Sequence, residues 1–179
     1  MKKKDIKKFP CLNLGCGFDY DPNYTNIDVD DKQFQVDLKL DLEIAKLPYE
    51  DNSIEIVKAC HILEHIQNFI PLMKEIHRVL KHDGVFYIRV PEFPCAAAIA
   101  DPTHCRYFVP ESFYLWTDNR PPGADTGNIA NLFSLEWIES VKHNSGMPDR
   151  GQPGRWFTEI ECELTAIKDR ANNENSVST

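Results

Sequence analysis

The chain has 179 residues, 42% hydrophobic and 27% charged, with 28 acidic against 20 basic side chains and a net charge of −8. That length predicts one domain around one core, and the negative balance argues against a nucleic-acid partner, which needs a basic face for phosphates. No apolar run reaches the roughly 20 residues that cross a bilayer, and no signal-peptide core follows the basic start at Lys2, Lys3, Lys4, Lys7 and Lys8. The expectation is a cytoplasmic protein without a membrane partner, its domain spanning 1–169 and an Asn- and Ser-rich tail 170–179.

Phe9 to Leu14 reads as a first strand that runs into Gly15 and Gly17, and Thr25 to Asp30 as a second. The link between them is shorter than a parallel crossover normally needs, so its helix is expected to shrink to a turn. Gln35 to Asp41 alternates apolar and polar and predicts a third strand; Ile54 to Cys60 predicts a fourth. Then the period changes. Ile66, Phe69, Leu72, Met73, Ile76, Val79 and Leu80 recur at three and four, which predicts an amphipathic helix to about Lys81, with Pro71 in its first turn. His82-Asp83-Gly84 is read as its end and Val85 to Val90 as the fifth strand. Pro91 to Arg106 reads as a loop, Pro110 to Trp116 as a short helix, and Asn119 to Gly127 as a Pro/Gly-rich loop. Trp156 to Lys168 alternates, with Ile160, Cys162, Leu164 and Ala166 on one face and Glu159, Glu161 and Glu163 on the other. That pattern predicts a half-buried antiparallel strand. Phe133 to Val141 is either its hairpin partner or a helix capped by Ser134. The six cysteines, Cys11, Cys16, Cys60, Cys95, Cys105 and Cys162, form no C-x-x-C pair and predict free thiols rather than a zinc site.

Two glycines at the mouth of a parallel strand let main-chain N–H groups approach a ligand that a β-carbon would push away. An acidic end to the next strand, Asn26-Ile27-Asp28-Val29-Asp30, is placed to accept from the two hydroxyls of a ribose. Both features point to a nucleoside-bearing cofactor.

The chain resembles the class I S-adenosylmethionine-dependent methyltransferases, in particular the small type 11-like subgroup. The likeness rests on Leu12-Asn13-Leu14-Gly15-Cys16-Gly17, then Asn26-Ile27-Asp28-Val29-Asp30, then Asp41-Leu42 with Leu47-Pro48-Tyr49-Glu50-Asp51-Asn52-Ser53. It continues through His61-Ile62-Leu63-Glu64-His65-Ile66 and Glu75-Ile76-His77-Arg78-Val79-Leu80 to Gly84. The resemblance implies a Rossmann-like α/β sheet of mostly parallel strands with a C-terminal antiparallel hairpin and few helices. It implies S-adenosyl-L-methionine as cofactor. Leu14, Gly15, Cys16 and Gly17 would surround its methionine end, Asp28 with Val29 its ribose, Asp41 and Leu42 its adenine, and Cys60 and His61 the sulfonium side. The sequence departs from the pattern in its missing first helix, in His82-Asp83-Gly84 where Pro-Gly-Gly is usual, and in lacking N-terminal helices. The pocket is therefore expected to be open or completed by a second subunit, as a homo-oligomer.

If the methyl acceptor is a hydroxyl, a general base is useful. His61 and His104 are the candidates, with Asp101 placed to orient His104 and with Arg106, Glu92 and Tyr107 at the rim. A small molecule or glycan is the expected acceptor. The segment from His61 to His65 also matches the H-x-x-E-H zinc pattern, but the glycine turn and Asp28 would then be accidents, so no metal is expected. Pro94-Cys95 suggests a thiol nucleophile for pyrimidines, which the acidic chain disfavours. Two other readings stay open. An NAD-dependent oxidoreductase would want a third glycine where Phe18-Asp19-Tyr20-Asp21 stands. A cofactor-binding, inactive partner subunit is the other.

Overall fold

Short apolar runs between turn residues form the strands of one half of the molecule. β1 (Cys11–Leu14), β2 (Thr25–Asp28), β3 (Leu38–Lys39) and β4 (Ile54–Cys60) are parallel; β1 pairs with β2 and β4, and β2 with β3. β5 (Leu80–Pro91) continues the parallel set beside β4. The other half is an antiparallel pair, β6 (Phe133–Asn144) and β7 (Trp156–Ala166), with β7 joined to β5. The seven strands make one sheet in the order β3-β2-β1-β4-β5-β7-β6. The structure is a computed structural model and describes residues 10–44, 46–120, 123, 129–144 and 156–168. Phe9, the lysine-rich start, part of the 119–127 loop and the 170–179 tail lie outside them.

Residues 15–24 join β1 to β2 through turns alone, and two buried asparagines explain how. Asn13 Nδ2 donates to the Asp19 carbonyl at 2.7 Å and to Asn26 Oδ1 at 3.0 Å. Asn26 Nδ2 donates to the carbonyls of Asp21 (2.8 Å) and Tyr24 (3.0 Å) and to Asp37 Oδ2 (2.9 Å). The network gives the buried amides partners that helix or sheet would otherwise supply.

The amphipathic run forms α1 (Phe69–Val79), which buries Phe69, Leu72, Met73, Ile76 and Val79 against the sheet. Each full burial stabilises the fold by about 1.5–3 kcal/mol. The helix is shorter than its apolar period. Leu63–His65 is a separate 3₁₀ turn, and the chain reaches Phe69 through Gln67 and Asn68. The Glu43 carboxylate fixes the chain just before α1, accepting from the N–H groups of Gln67 (2.5 Å) and Asn68 (3.0 Å). A negative group there suits the positive end of the helix dipole.

Three expectations are corrected. His82-Asp83-Gly84 does not separate helix from strand: β5 begins at Leu80, directly after α1. The pairing steps from Ile54–Leu80 to Ile56–Val85, so these residues are a bulge, with Asp83 at φ 60°. The loop after β5 contains a short helix, α2 (Ala96–Ala100), which its alanines favour. The third strand shrinks to Leu38–Lys39. The expected helix at Pro110 is α3 (Glu111–Tyr114), and Phe133 onward is a strand rather than a capped helix.

The sheet has one dry and one polar side. Val57, Ala59, Phe86, Ile88, Ile160, Cys162 and Leu164 are buried beneath α1 and its neighbours. The alternate positions carry Lys58, Cys60, Tyr87, Arg89, Glu161 and Glu163, all half-buried. On that side Arg89 Nε meets Glu161 Oε1 at 2.9 Å, and Tyr87 Oη donates to Glu161 Oε2 at 2.9 Å.

Candidate functional site

The carboxyl ends of β1, β2, β3 and β4 lie along one edge, since the four strands are parallel. Leu14, fully buried, is the last residue of β1. Gly15 and Gly17 follow at φ 60° and 48°, the left-handed region that glycine enters without strain. A Cβ on Gly15 would fall 2.4 Å from Ile62 Cγ1, so this glycine is needed for close packing. A Cβ on Gly17 would meet nothing within 4 Å, so open space lies beside its main chain. Between them Cys16 is buried, its N–H donating to the Ile27 carbonyl at 3.1 Å. Burial, then the nearby Asp28 charge, pushes its thiol up to about 11, which disfavours the thiolate.

Asp28 ends β2 and ties the turn to the sheet. Its Oδ2 accepts from the Gly17 N–H at 2.9 Å and its Oδ1 from the Asp30 N–H at 3.1 Å. Each carboxylate oxygen keeps a further lone pair. Val29, next to it, is exposed. Beyond β3, Asp41 is exposed and its Oδ1 accepts from the Glu43 N–H at 2.9 Å, while Leu42 is buried. Cys60, at the end of β4, is half-buried, and its thiol is raised first by burial. These predicted residues share the edge that Gly15, Gly17 and Asp28 organise. The open side of Gly17 and the spare lone pairs of Asp28 fit the amino-acid and ribose ends of a nucleoside cofactor.

His61 does something sequence reasoning missed. It turns at φ 53°, which puts its ring between two buried carboxylates. Nε2 lies 2.8 Å from Glu159 Oε1 and Nδ1 3.4 Å from Glu64 Oε1. The Glu159 contact first, then Glu64, pushes the imidazole up to about 9 against the effect of burial. With both nitrogens facing carboxylates, His61 has no free lone pair for a substrate proton. The H-x-x-E-H pattern accordingly does not lay His61 and His65 on one helical face; the segment is a turn and a 3₁₀ helix. Glu159 gave no signal in the sequence beyond strand alternation.

The loop after β5 is anchored on the 3₁₀ turn: the Glu64 carbonyl accepts from the N–H groups of Cys105 (2.9 Å) and Arg106 (3.2 Å). This brings His104 beside His65, with ring centroids 4.7 Å apart, edge to face. Asp101 was expected to orient His104. Its carboxylate instead holds Thr103, accepting from Thr103 Oγ1 at 2.6 Å and Thr103 N at 2.8 Å, and stays 3.9 Å from His104 Nε2. His104 is oriented by the Ala98 carbonyl, 2.8 Å from Nδ1. Arg106 lies over the Phe69 ring and donates to the Gln67 carbonyl at 3.0 Å, and Glu92 accepts from Ser140 Oγ at 2.9 Å. Cys95 contacts the Thr158 carbonyl at 3.4 Å.

Residues 12–88 match the family described as a methyltransferase domain. A stretch of 101 residues is 33% identical to the uncharacterized protein MJ0638 of Methanocaldococcus jannaschii. That stretch is 50% of this chain and 44% of MJ0638, so the chain matches less than half of that relative's length. Among solved structures, the fold is similar to a proposed methyltransferase of Bacillus halodurans C-125, with a TM-score of 0.63 at 13% identity over 88% of this chain and 92% of that one. It is also similar to a SAM-dependent methyltransferase of Methanosarcina mazei, with a TM-score of 0.56 at 13% identity over 89% and 92%. At such identity the likeness speaks to the fold, which is the Rossmann-like methyltransferase sheet with its antiparallel final pair. Among the described residues no helix is long and apolar enough to cross a membrane.

Proposed function

We propose, from the match of residues 12–88 to a family described as a methyltransferase domain, that this chain transfers a methyl group from S-adenosylmethionine to a hydroxyl of a small molecule or glycan. The observation that carries the donor half is the Gly15–Cys16–Gly17 turn locked to Asp28 through the 2.9 Å bond from the Gly17 N–H. When bound, the cofactor supplies a methyl group on a sulfonium, a leaving group that needs little further activation.

The chain's task is then to hold and align. Gly17 leaves its main chain open to the methionine end. Asp28 accepts from the ribose hydroxyls. Asp41 takes the adenine amino group on the oxygen not bonded to Glu43, with the Leu42 main chain beside the ring. Leu14, Cys16 and Val29 shape the walls, and Cys60 borders the reacting side. His104 is the favoured base. The Ala98 carbonyl accepts a hydrogen bond from its Nδ1–H, which leaves the lone pair on Nε2, whereas both nitrogens of His61 face carboxylates.

Calorimetry tests the donor half. Both S-adenosylmethionine and S-adenosylhomocysteine should give saturable heat, NAD none, and Asp28→Ala should weaken binding at least tenfold. Heat with NAD alone would replace the reading by an oxidoreductase. For turnover, S-adenosylhomocysteine formation over a panel of hydroxylated acceptors should fall at least 100-fold in His104→Ala. Binding without turnover on any acceptor would identify a non-catalytic subunit.

A further inference from the structure

Glu64 is 2% exposed, yet its Oε2 has no hydrogen-bond partner. Leaving a carboxylate oxygen buried and unpaired is costly, and such a group marks a site for a cation. Beside it stand two imidazoles: one ligand atom each from Glu64, His65 and His104 lie within 4.8 Å of one another.

The hydrogen bonds around the two rings fix what they offer. His104 Nδ1 faces a main-chain carbonyl, that of Ala98, which can only accept. Nδ1 must therefore carry the proton, leaving a lone pair on Nε2. His65 Nδ1 lies 3.0 Å from Thr103 Oγ1. The single hydroxyl proton of Thr103 goes to Asp101 Oδ1 at 2.6 Å, so Oγ1 can only accept from His65. Nδ1 of His65 is thus protonated too, and its Nε2 is bare. A carbonyl behind one histidine, and a carboxylate acting through a hydroxyl behind the other, are the outer contacts that metal-binding histidines use to fix tautomer and ring angle.

We infer that Glu64, His65 and His104 form a binding site for a first-row divalent transition cation, with Thr103, Asp101 and the Ala98 carbonyl as its supporting groups. Two imidazoles and one carboxylate suit zinc and its neighbours in that row, and three protein ligands leave at least one position open to a water or a substrate oxygen. The cation sits about 2.0–2.2 Å from each ligand, so the rings rotate inward on binding. His61 is outside this set: its ring is held on Glu159 and the other oxygen of Glu64. The trio differs from the one the H-x-x-E-H spacing suggests, because the loop after β5 supplies His104 in place of His61.

The inference is independent of the donor pocket but not of the base assignment. A cation would occupy the one Nε2 lone pair of His104, so in the loaded chain His104 is a ligand and not the base. Cation and donor binding are both measured on one chelator-stripped sample of the full chain. Titration with zinc chloride and with cobalt chloride should show saturable binding of one equivalent, with visible d–d bands for cobalt. His65→Ala and His104→Ala should each weaken it at least tenfold, Thr103→Val about tenfold, and His82→Ala not at all. In the wild-type chain, zinc should shift the Nε2 resonances of His65 and His104 but not of His82. That measurement needs no variant and covers a substitution that fails to fold. Absence of saturable binding, unshifted His65 and His104 resonances, or undiminished affinity in folded His65→Ala and His104→Ala overturns the site. Heat from S-adenosylmethionine on the metal-free chain reports the donor pocket separately.

Discussion

At the end of β1 the candidate site is made of main chain: two left-handed glycines, a strand-end carboxylate and the N–H groups between them. Beyond β4 it is made of side chains that meet across long stretches of sequence, with Glu64 beside His104 and His61 on Glu159. The first end is shaped by steric permission and tolerates almost no added atom at Gly15. The second is shaped by hydrogen-bond partners and is changed by exchanging one partner. A cofactor used in one fixed pose suits the first construction, and adaptable chemistry suits the second.

Substitutions can break that contrast. Gly15→Ala should be the most damaging, at about 3–5 kcal/mol, because a left-handed alanine and a clash with Ile62 add together. Gly17→Ala, with the same backbone conformation but open space, should cost only about 1–2 kcal/mol. Urea melts of both variants measure the gap; equal costs would remove packing from the account. Asn26→Ala should cost about 2–3 kcal/mol by stranding Asn13 and Asp37, again read from a urea melt. Glu159→Gln should cost about 1 kcal/mol, a charged hydrogen bond discounted for the half-exposed His61 ring. A loss as large as that of Gly15→Ala would make the two ends alike.

A carboxylate–guanidinium clamp in the last turns of α1, away from the candidate site, gives the pH test. Glu75 holds Arg78 at 2.6 Å and the Leu47 N–H at 2.8 Å, and Arg78 reaches Asp51 and the Leu47 and Tyr49 carbonyls. Burial alone would raise the Glu75 carboxyl; Arg78 and the Leu47 N–H outweigh it and leave it below the usual glutamate range. A depressed pKa in the folded chain stabilises above the unfolded value, and that stability is lost as pH falls through the folded one. Glu75→Gln should therefore flatten the acid limb of the stability curve below about pH 4.3. It should cost about 1 kcal/mol at neutral pH. An unchanged acid limb would remove the clamp.

Local features were legible: the β4 limits, the apolar face of α1, the glycine turn and the missing first helix follow from neighbours in sequence. The alternative for Phe133 onward stayed open because a short apolar run suits either state until β7 supplies its partner. The bulge at Lys81 to Gly84 was hidden, since turn residues end helices and interrupt strands with the same chemistry. Glu159 and Glu64 could not be read, because strand alternation placed the first with solvated glutamates and nothing in the second announced burial. Their environment is set by contacts between distant segments, which no spacing rule encodes.

The two-sided character of the sheet has a bearing on how this chain can change over time. Beneath α1, positions such as Phe86 and Ile160 are fully enclosed and admit only replacements of matched volume. On the opposite side, the ladder of Lys58, Tyr87, Arg89 and Glu161 can be rewritten in matched pairs, provided charge stays balanced across neighbouring strands. Drift will therefore be slow on one surface and quick on the other, and a greasy replacement on the quick surface would seed clumping rather than strengthen the interior.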